Sequence, residues 1–425
     1  MPSRSNASTT NSIAGVKTPK MIAAAVVTAI VYFFSNPKPQ FYYDYTFRIA
    51  GKLLNGALGL SEQPPSHLNE FVPFEGAWYS VFPLGSVLTM IPASLLRAAG
   101  VIQDMPAALI VAFLAAGIML LLLKIGSRYD LPADRVVLTA LGIMFGTWTW
   151  TNLTFGGAWQ LALGFAMLGE LGAIYFTVYD RRPLLAGAFF ALGFGNRTEV
   201  MLTVPVLMFL LARERENGES SATLAGKVPA FHWAGNVPAF RRIAQFCVVP
   251  FVLGVATLFY NYARFGSPLD FGYARIPGVL EEPWYNHGIF SIWYIPRQAW
   301  EMLWRPWEFK PTFPYLMPNP FSASILWSSP FLLFALRFGA RDQGLKCASW
   351  IAIALMTVLL WMHGNSGGWQ FGYRYWMVCL PWLSVIMMEN APAKISRLEW
   401  TAYFLSFAAN AYATWLFNWT NYLKP

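Results

Sequence analysis

Apolar residues run along this chain in long blocks separated by short polar turns. Blocks lie near 21–36, 104–123, 136–152, 158–179, 184–196, 199–212, 243–262, 325–338, 347–363, 376–389 and 398–417. A membrane-crossing helix needs about 17–25 such residues. Two blocks, 184–196 and 325–338, are shorter. The pattern predicts an all-α polytopic membrane protein with about eleven transmembrane helices. Residues 1–20 read as a cytoplasmic tail and 21–425 as a single transmembrane domain. The first block, Met21 to Phe34, is followed by Asn36-Pro37-Lys38-Pro39 rather than a small-residue cleavage site. It reads as a retained helix, not a signal peptide.

Val81 to Arg97 is also apolar, but Pro83, Gly85 and Pro92 interrupt it. Counting it as a span would reverse the side of every later loop. Charge decides the matter. With this segment at the surface or re-entrant, 18 of the 30 Lys and Arg residues fall on one side, mostly in short loops. They include Lys124, Arg128, Arg135, Arg181, Arg182, Arg337, Arg341 and Arg397. Positive charge in short loops marks the cytoplasmic side. The N-terminus is then inside and the C-terminus outside, in a cytoplasmic (inner) membrane. The two long loops, 37–103 and 263–324, are outside and carry interfacial helices. Loop 213–242, with Glu214, Glu216 and Glu219, reads as a plain inner connector.

Composition agrees. The chain is 56% hydrophobic and only 12% charged, half the charged share of a soluble domain. That excludes an ordinary soluble enzyme and a disordered chain. The net charge of +9 follows from the loop pattern, so no nucleic-acid partner is implied. Cys247, Cys347 and Cys379 lie in or beside apolar blocks and form no disulfide framework. His67, His232, His287 and His363 are scattered. No metal site is read from these residues, although a divalent ion is not excluded.

The polar chemistry gathers on the outer side. Phe41-Tyr42-Tyr43-Asp44-Tyr45-Thr46-Phe47-Arg48-Ile49-Ala50-Gly51-Lys52 reads as an amphipathic interfacial helix. Helical spacing places Asp44, Arg48 and Lys52 on one face and Tyr42, Tyr45 and Ile49 on another. Such a carboxylate can take a proton while nearby cations hold a phosphate. A salt-bridged surface helix is the plain alternative. Farther on, Glu70 and Glu75 flank a Pro turn, and Phe74-Glu75-Gly76-Ala77-Trp78-Tyr79 predicts a short hairpin. Carboxylates beside Trp78 and Tyr79 suit a sugar.

Three further segments carry candidate ligands. Asn196-Arg197-Thr198-Glu199 puts a charged pair at the mouth of two apolar blocks, and Arg197 can hold a phosphate. Tyr260-Asn261-Tyr262-Ala263-Arg264-Phe265-Gly266-Ser267-Pro268 turns sharply out of a block and leads to Tyr273, with Arg264 at headgroup depth. The glycine-rich run from His363 to Tyr375 contains Tyr373 and Arg374 and permits close backbone approach to a ligand. Glu170 lies inside an apolar block, as a functional group or a neutral hydrogen-bonded one. No phosphate-binding loop, zinc-protease motif, nucleophile elbow or dinucleotide fingerprint occurs.

The order of these segments resembles the GT-C superfamily of polytopic glycosyltransferases. It is similar in particular to bacterial relatives of the protein O-mannosyltransferases and lipid A aminoarabinose transferases. The resembling stretches are Tyr43-Asp44-Tyr45 through Gly56, Phe82-Pro83-Leu84-Gly85, Tyr260 through Pro268, and Gly367-Gly368-Trp369 through Tyr375. The resemblance implies transfer of a sugar from a polyprenyl-phosphate donor to a lipid or glycan acceptor, outside the membrane, with inversion. It implies a catalytic role for Asp44. Arg48, Lys52, Glu70, Glu75, Trp78, Tyr79, Arg197, Arg264, Tyr273, Tyr373 and Arg374 are the substrate-binding candidates. The chain departs from the family pattern in having Asp44-Tyr45 where relatives often have Asp-Glu. The turn Thr151–Gly157 also lacks an acid or His. A flippase or transporter for lipid-linked sugar, or an inactive scaffold, is the alternative.

Overall fold

The computed structural model describes residues 16–37, 43–213 and 237–423. Most of the 213–242 connector, most of the N-terminal tail and Tyr42 lie outside the described residues. The rest is mostly helical. Helix α1 (Thr18–Phe34) leads into the first long loop, which holds α2 (Tyr45–Leu53). A ribbon of β1 (Phe71–Phe74) and β2 (Ala77–Ser80) follows, then the short helices α3 (Leu84–Leu88) and α4 (Ile91–Ala98). Strand pairing runs from Phe71 opposite Ser80 to Phe74 opposite Ala77. Glu75 and Gly76 close the turn with φ of 47° and 79°, the two positive values that a two-residue type I′ hairpin requires.

Five helices then pack back and forth: α5 (Ala107–Gly126), α6 (Ala133–Phe145), α7 (Thr149–Thr154), α8 (Ala158–Ile174) and α9 (Pro183–Asn196). They are followed by α10 (Val204–Ala212) and the long α11 (Val237–Phe265). The second long loop contains α12 (Ile295–Leu303) and a ribbon of β3 (Glu308–Phe309) and β4 (Leu316–Met317). The chain closes with α13 (Ile325–Ser328), α14 (Gln343–Met362), α15 (Leu380–Asn390) and α16 (Arg397–Trp419). Prolines stand at the first turns of α9, α10, α12 and α15, where a missing N–H costs nothing.

Two expectations are amended. The fold is not all-α, because the two long loops carry the two ribbons. Among the described residues, continuous apolar helices are also fewer than eleven. Among the described residues four are long and apolar enough to cross a membrane: Ala107–Gly126, Ala158–Tyr179, Pro238–Phe265 and Gln343–Met362. Thr18–Phe34, Pro183–Asn196 and Thr198–Ala212 are shorter. Other blocks are interrupted. Block 136–152 breaks at Gly146, between α6 and α7. Block 325–338 is one helical turn followed by a 3-10 stretch, Pro330–Leu336. Val81–Arg97 splits into α3 and α4, each too short to cross alone at 1.5 Å per residue.

The surface shows what solvent the helices meet. Val248, Phe251, Val252, Leu258 and Phe259 of α11 are exposed, as are Ile22, Val26, Val27 and Ile30 of α1. Contiguous exposed apolar faces of this kind suit lipid, so the chain is membrane-embedded.

The residues assigned to the inner side converge at one end. Arg135 bonds the Glu399 carboxylate, and Arg337 reaches it at 2.7 Å. Arg213 bonds Asp342 at 2.8 Å. Arg341 and Lys346 donate to terminal carbonyls. At the other end, close contact without side chains brings the first long loop down onto the bundle. A Cβ on Gly85 of α3 would lie 2.3 Å from the Gly195 carbonyl oxygen of α9. Only glycine permits that approach, and it seats the Phe82–Gly85 segment two residues before Arg197.

Candidate functional site

The site forms where α2, the start of α8, the end of α9, the second long loop and the turn after α14 meet. Its hub is Trp159, in the first turn of α8. Trp159 donates its indole N–H to Glu70 Oε2 at 2.8 Å. Its ring lies 5.3 Å from the rings of both Tyr43 and Tyr45. The residue between those tyrosines is Asp44. The Tyr43 carbonyl accepts from the Ala158 N–H at 3.0 Å, which fixes the start of α2 to the start of α8.

Asp44 stands at the N-terminus of α2, buried, and its Oδ1 accepts from Arg48 Nε at 2.7 Å. Burial raises its pKa, against the pull of Arg48 and Arg97. Tyr45 is wholly buried. Its hydroxyl donates to Asn69 Oδ1 at 3.2 Å and accepts from the Glu70 N–H at 3.4 Å. These bonds hold the loop strand that presents Glu70. The Glu70 carboxyl is pushed up to about 7 by burial, opposed by the Trp159 hydrogen bond and by Arg374 and Arg197, and assisted by Glu282.

Cations and rings complete the wall. The Arg374 guanidinium lies 5.9 Å from the Trp159 ring centre and 5.2 Å from that of Tyr375. Arg374 is buried, yet its side-chain bonds are long: 3.4 Å to the Trp369 carbonyl and 3.5 Å to the Tyr375 hydroxyl. Its Nε has no acceptor among the described residues. Charged donors favour about 2.7–2.9 Å to an anion, so this guanidinium is under-bonded. Arg197 lies over the other part of the same surface, 4.9 Å from the Tyr375 ring, and pairs with Glu199 at 2.7 Å. The Tyr273 hydroxyl shares a 2.9 Å hydrogen bond with Tyr285, and burial raises both phenols. The His363 ring packs among Tyr273, Tyr285 and Tyr375.

Thus Glu70, Arg197, Tyr273 and Arg374 are gathered around Trp159 and Tyr375, while Asp44, bonded to Arg48, stands in the chain between the two tyrosines that pack on Trp159. Other candidates are placed elsewhere. Glu75 is exposed at the hairpin tip. Trp78 pairs with Leu60 along the hairpin, and the Tyr79 ring packs 5.6 Å from Phe265. Lys52 sits in the last turn of α2, two turns beyond Asp44. The Tyr373 hydroxyl donates to Gln298 Oε1 at 2.8 Å inside the protein. Arg264 is stacked 3.9 Å over the Tyr260 ring, bonds Asn261 Oδ1 at 2.7 Å and donates to the Ser80 carbonyl. Its guanidinium ties the end of α11 to the hairpin, well supplied with partners in contrast to Arg374.

Sequence reading missed Trp159, which it counted as part of an apolar block, and also Glu282 and Tyr285. The available signal was a Trp two residues after Gly156-Gly157, at the lip of a span where aromatic residues gather. Among the described residues no three His, Cys, Asp or Glu side chains are grouped to hold a metal ion.

Fold and site together define a polytopic helical membrane protein with a carboxylate–guanidinium cluster at one mouth of its bundle. No family model matches the chain, and no curated protein matches it. Among solved structures it is similar to the archaeal oligosaccharyltransferase AglB from Archaeoglobus fulgidus, in complex with an inhibitory peptide and a dolichol-phosphate. Identity is 13% and the TM-score 0.41, over 94% of this chain and 55% of that one. The chain spans about half the length of that protein.

Proposed function

We propose that the protein is a membrane glycosyltransferase that moves a sugar from a polyprenyl-phosphate donor to an acceptor hydroxyl at the non-cytoplasmic face, inverting the anomeric centre. The observation that carries this reading is Arg374: a buried guanidinium with an unpartnered N–H, beside a carboxylate whose pKa is near neutral. A departing lipid phosphate needs such a cation, and an acceptor hydroxyl needs such a base. Glu70 takes the acceptor proton, since a base works best when its pKa lies close to the operating pH. Arg374, with Arg197 beside it, meets the charge that develops on the phosphate. Asp44, clamped by Arg48, is the second carboxylate of the pair and lies at the position the family resemblance marks as catalytic. Trp159 and Tyr375 supply faces for the sugar ring.

The test is transfer of labelled sugar from a panel of polyprenyl-phosphate sugars by the purified protein in lipid, with Glu70→Gln and Asp44→Asn alongside. The assay is run with and without a chelator to decide metal use. Label reaching acceptor, and lost in Glu70→Gln, supports the reading. Transport of lipid-linked sugar across the bilayer, with no label transferred from any donor, would replace it with the flippase reading. If the rate's dependence on pH near 7 persists in Glu70→Gln and vanishes in Asp44→Asn, the base is Asp44.

A further inference from the structure

Beside the cluster, on the second outer loop, lies a cavity of about 270 Å³ that the transferase reading leaves unused. Its floor is the glycine-rich turn after α14, and its wall is one face of α12. We propose that this cavity is a binding site for one ring of a neutral saccharide, and that the acceptor is held there. The acceptor role rests on the transferase reading; the binding of the saccharide does not.

Four observations support the assignment. The cavity is lined by two aromatic rings that the protein leaves half open, Trp284 at 44% and Phe321 at 50% exposure. Flat apolar faces of this kind match the C–H faces of a pyranose. Its charges balance: Arg297 and Arg305 oppose Glu282 and Glu301. A phosphate would meet both carboxylates, whereas a polyol can donate to the acids and accept from the guanidinium groups. Glu301 is also under-bonded. Its Oε1 lies 3.8 Å from Arg305, and its buried Oε2 has no hydrogen-bond partner among the described residues. A ligand hydroxyl supplies what that oxygen lacks. Finally, a Cβ placed on Gly368 would meet nothing within 4 Å, and its φ is unstrained. The protein's own packing does not require glycine there, and the absence of a side chain keeps the cavity open.

The cavity is wired to the cluster. Gln370 donates to the carbonyls of Phe321 and Ser366, and its Oε1 accepts from the Arg374 backbone N–H at 2.8 Å. Glu282, on the cavity wall, also bears electrostatically on Glu70. The cavity is therefore linked through Gln370 to the backbone that carries Arg374.

Saturation-transfer NMR on the full chain in lipid nanodiscs tests this. The probes are methyl glycosides of glucose, mannose, galactose, N-acetylglucosamine and arabinose, with glucose 1-phosphate as an anionic control. At least one neutral glycoside gives saturation transfer. Gly368→Leu, which fills the cavity, and Glu301→Gln, which removes the charged acceptor, each weaken its binding about tenfold or more, the equivalent of about 1.4 kcal/mol. Unchanged thermal unfolding shows that each variant folds. If Gly368→Leu does not fold, Glu301→Gln decides alone. No signal from any neutral glycoside, binding of glucose 1-phosphate alone, or equal binding in wild type and variants overturns the proposal. Glu70→Gln separates the two readings. Saccharide binding without transfer from any donor sinks only the transferase reading, and transfer without saccharide binding here sinks only this site.

Discussion

Trp159 and Glu70 lie 89 residues apart in the chain and are joined by a 2.8 Å hydrogen bond from the indole N–H to Oε2. That bond ties the first turn of α8 to the loop ahead of the hairpin. It also aims one carboxylate oxygen into a cluster of rings and guanidinium groups.

Replacing Glu70 with Gln keeps an oxygen for Trp159 but removes the base. Transfer then falls by about 10²–10⁴-fold, the usual contribution of general base catalysis. In the wild type the rate rises with pH through about 7, where Glu70 ionises. The pH–rate profile of the variant is flat there. A profile that keeps its rise in Glu70→Gln removes Glu70 from the role.

The same carboxyl makes stability depend on pH. Its ordinary value is 4.5 and its folded value about 7. Below pH 4.5 both states are protonated and nothing is lost. Between 4.5 and 7 the unfolded chain releases its proton while the folded one keeps it, so stability falls as pH rises, and the deficit is constant above 7. Glu70→Gln is therefore more stable than wild type at pH 8, by about 1–3 kcal/mol, and the gap closes at pH 4. Thermal unfolding at the two pH values checks this, and an equal gap at both contradicts it.

Arg374→Ala leaves the developing phosphate charge without its nearest cation. Loss of one such donor costs about 10²–10³-fold in kcat. Arg374→Lys restores little, because a point charge on a flexible stem does not reproduce the planar fork. Arg264→Lys behaves differently. It loosens the hairpin and lowers the unfolding temperature while leaving the donor KM near the wild-type value. A donor KM that rises equally in both lysine variants would place Arg264 in the site as well.

Gly85→Ala forces a methyl group to within 2.3 Å of the Gly195 carbonyl oxygen. Backbone cannot swing away as a side chain can, so the variant loses about 1–3 kcal/mol. Gly254→Ala in α11 meets nothing within 4 Å and is neutral or stabilising by about 0.5–1 kcal/mol. Paired unfolding measurements check the difference. Equal effects would mean that α3 does not rest on α9.

Local signals in the sequence reported local structure well. The hairpin was legible because Glu75-Gly76 sits between two runs of strand formers. The interruptions at Pro83, Gly85 and Pro92 marked 81–97 as a surface or re-entrant segment, and the structure divides it into two short helices. Continuity was harder to read. A block such as 136–152 is apolar enough to read as one span, yet α6 ends before Gly146 and α7 starts only at Thr149. The site was half legible. Asp44, Arg48, Arg197 and Arg374 stand out as charges among apolar residues. Trp159 does not, because a Trp among apolar neighbours looks like any other. Its importance comes from Glu70, which only tertiary packing brings to it. Likewise, nothing in the sequence distinguishes the well-partnered Arg264 from the under-bonded Arg374.

The two-residue tip of the first hairpin has a practical consequence. Glu75 and Gly76 adopt a backbone form that depends only on the two strands they join, and a Cβ at Gly76 meets no neighbour. An epitope or fluorophore inserted there would leave the strand pairing intact. It would ride on the same strand segment that leads back to Glu70, five residues upstream. Antibody access to such a tag in sealed vesicles of known orientation reports directly which compartment the carboxylate cluster faces.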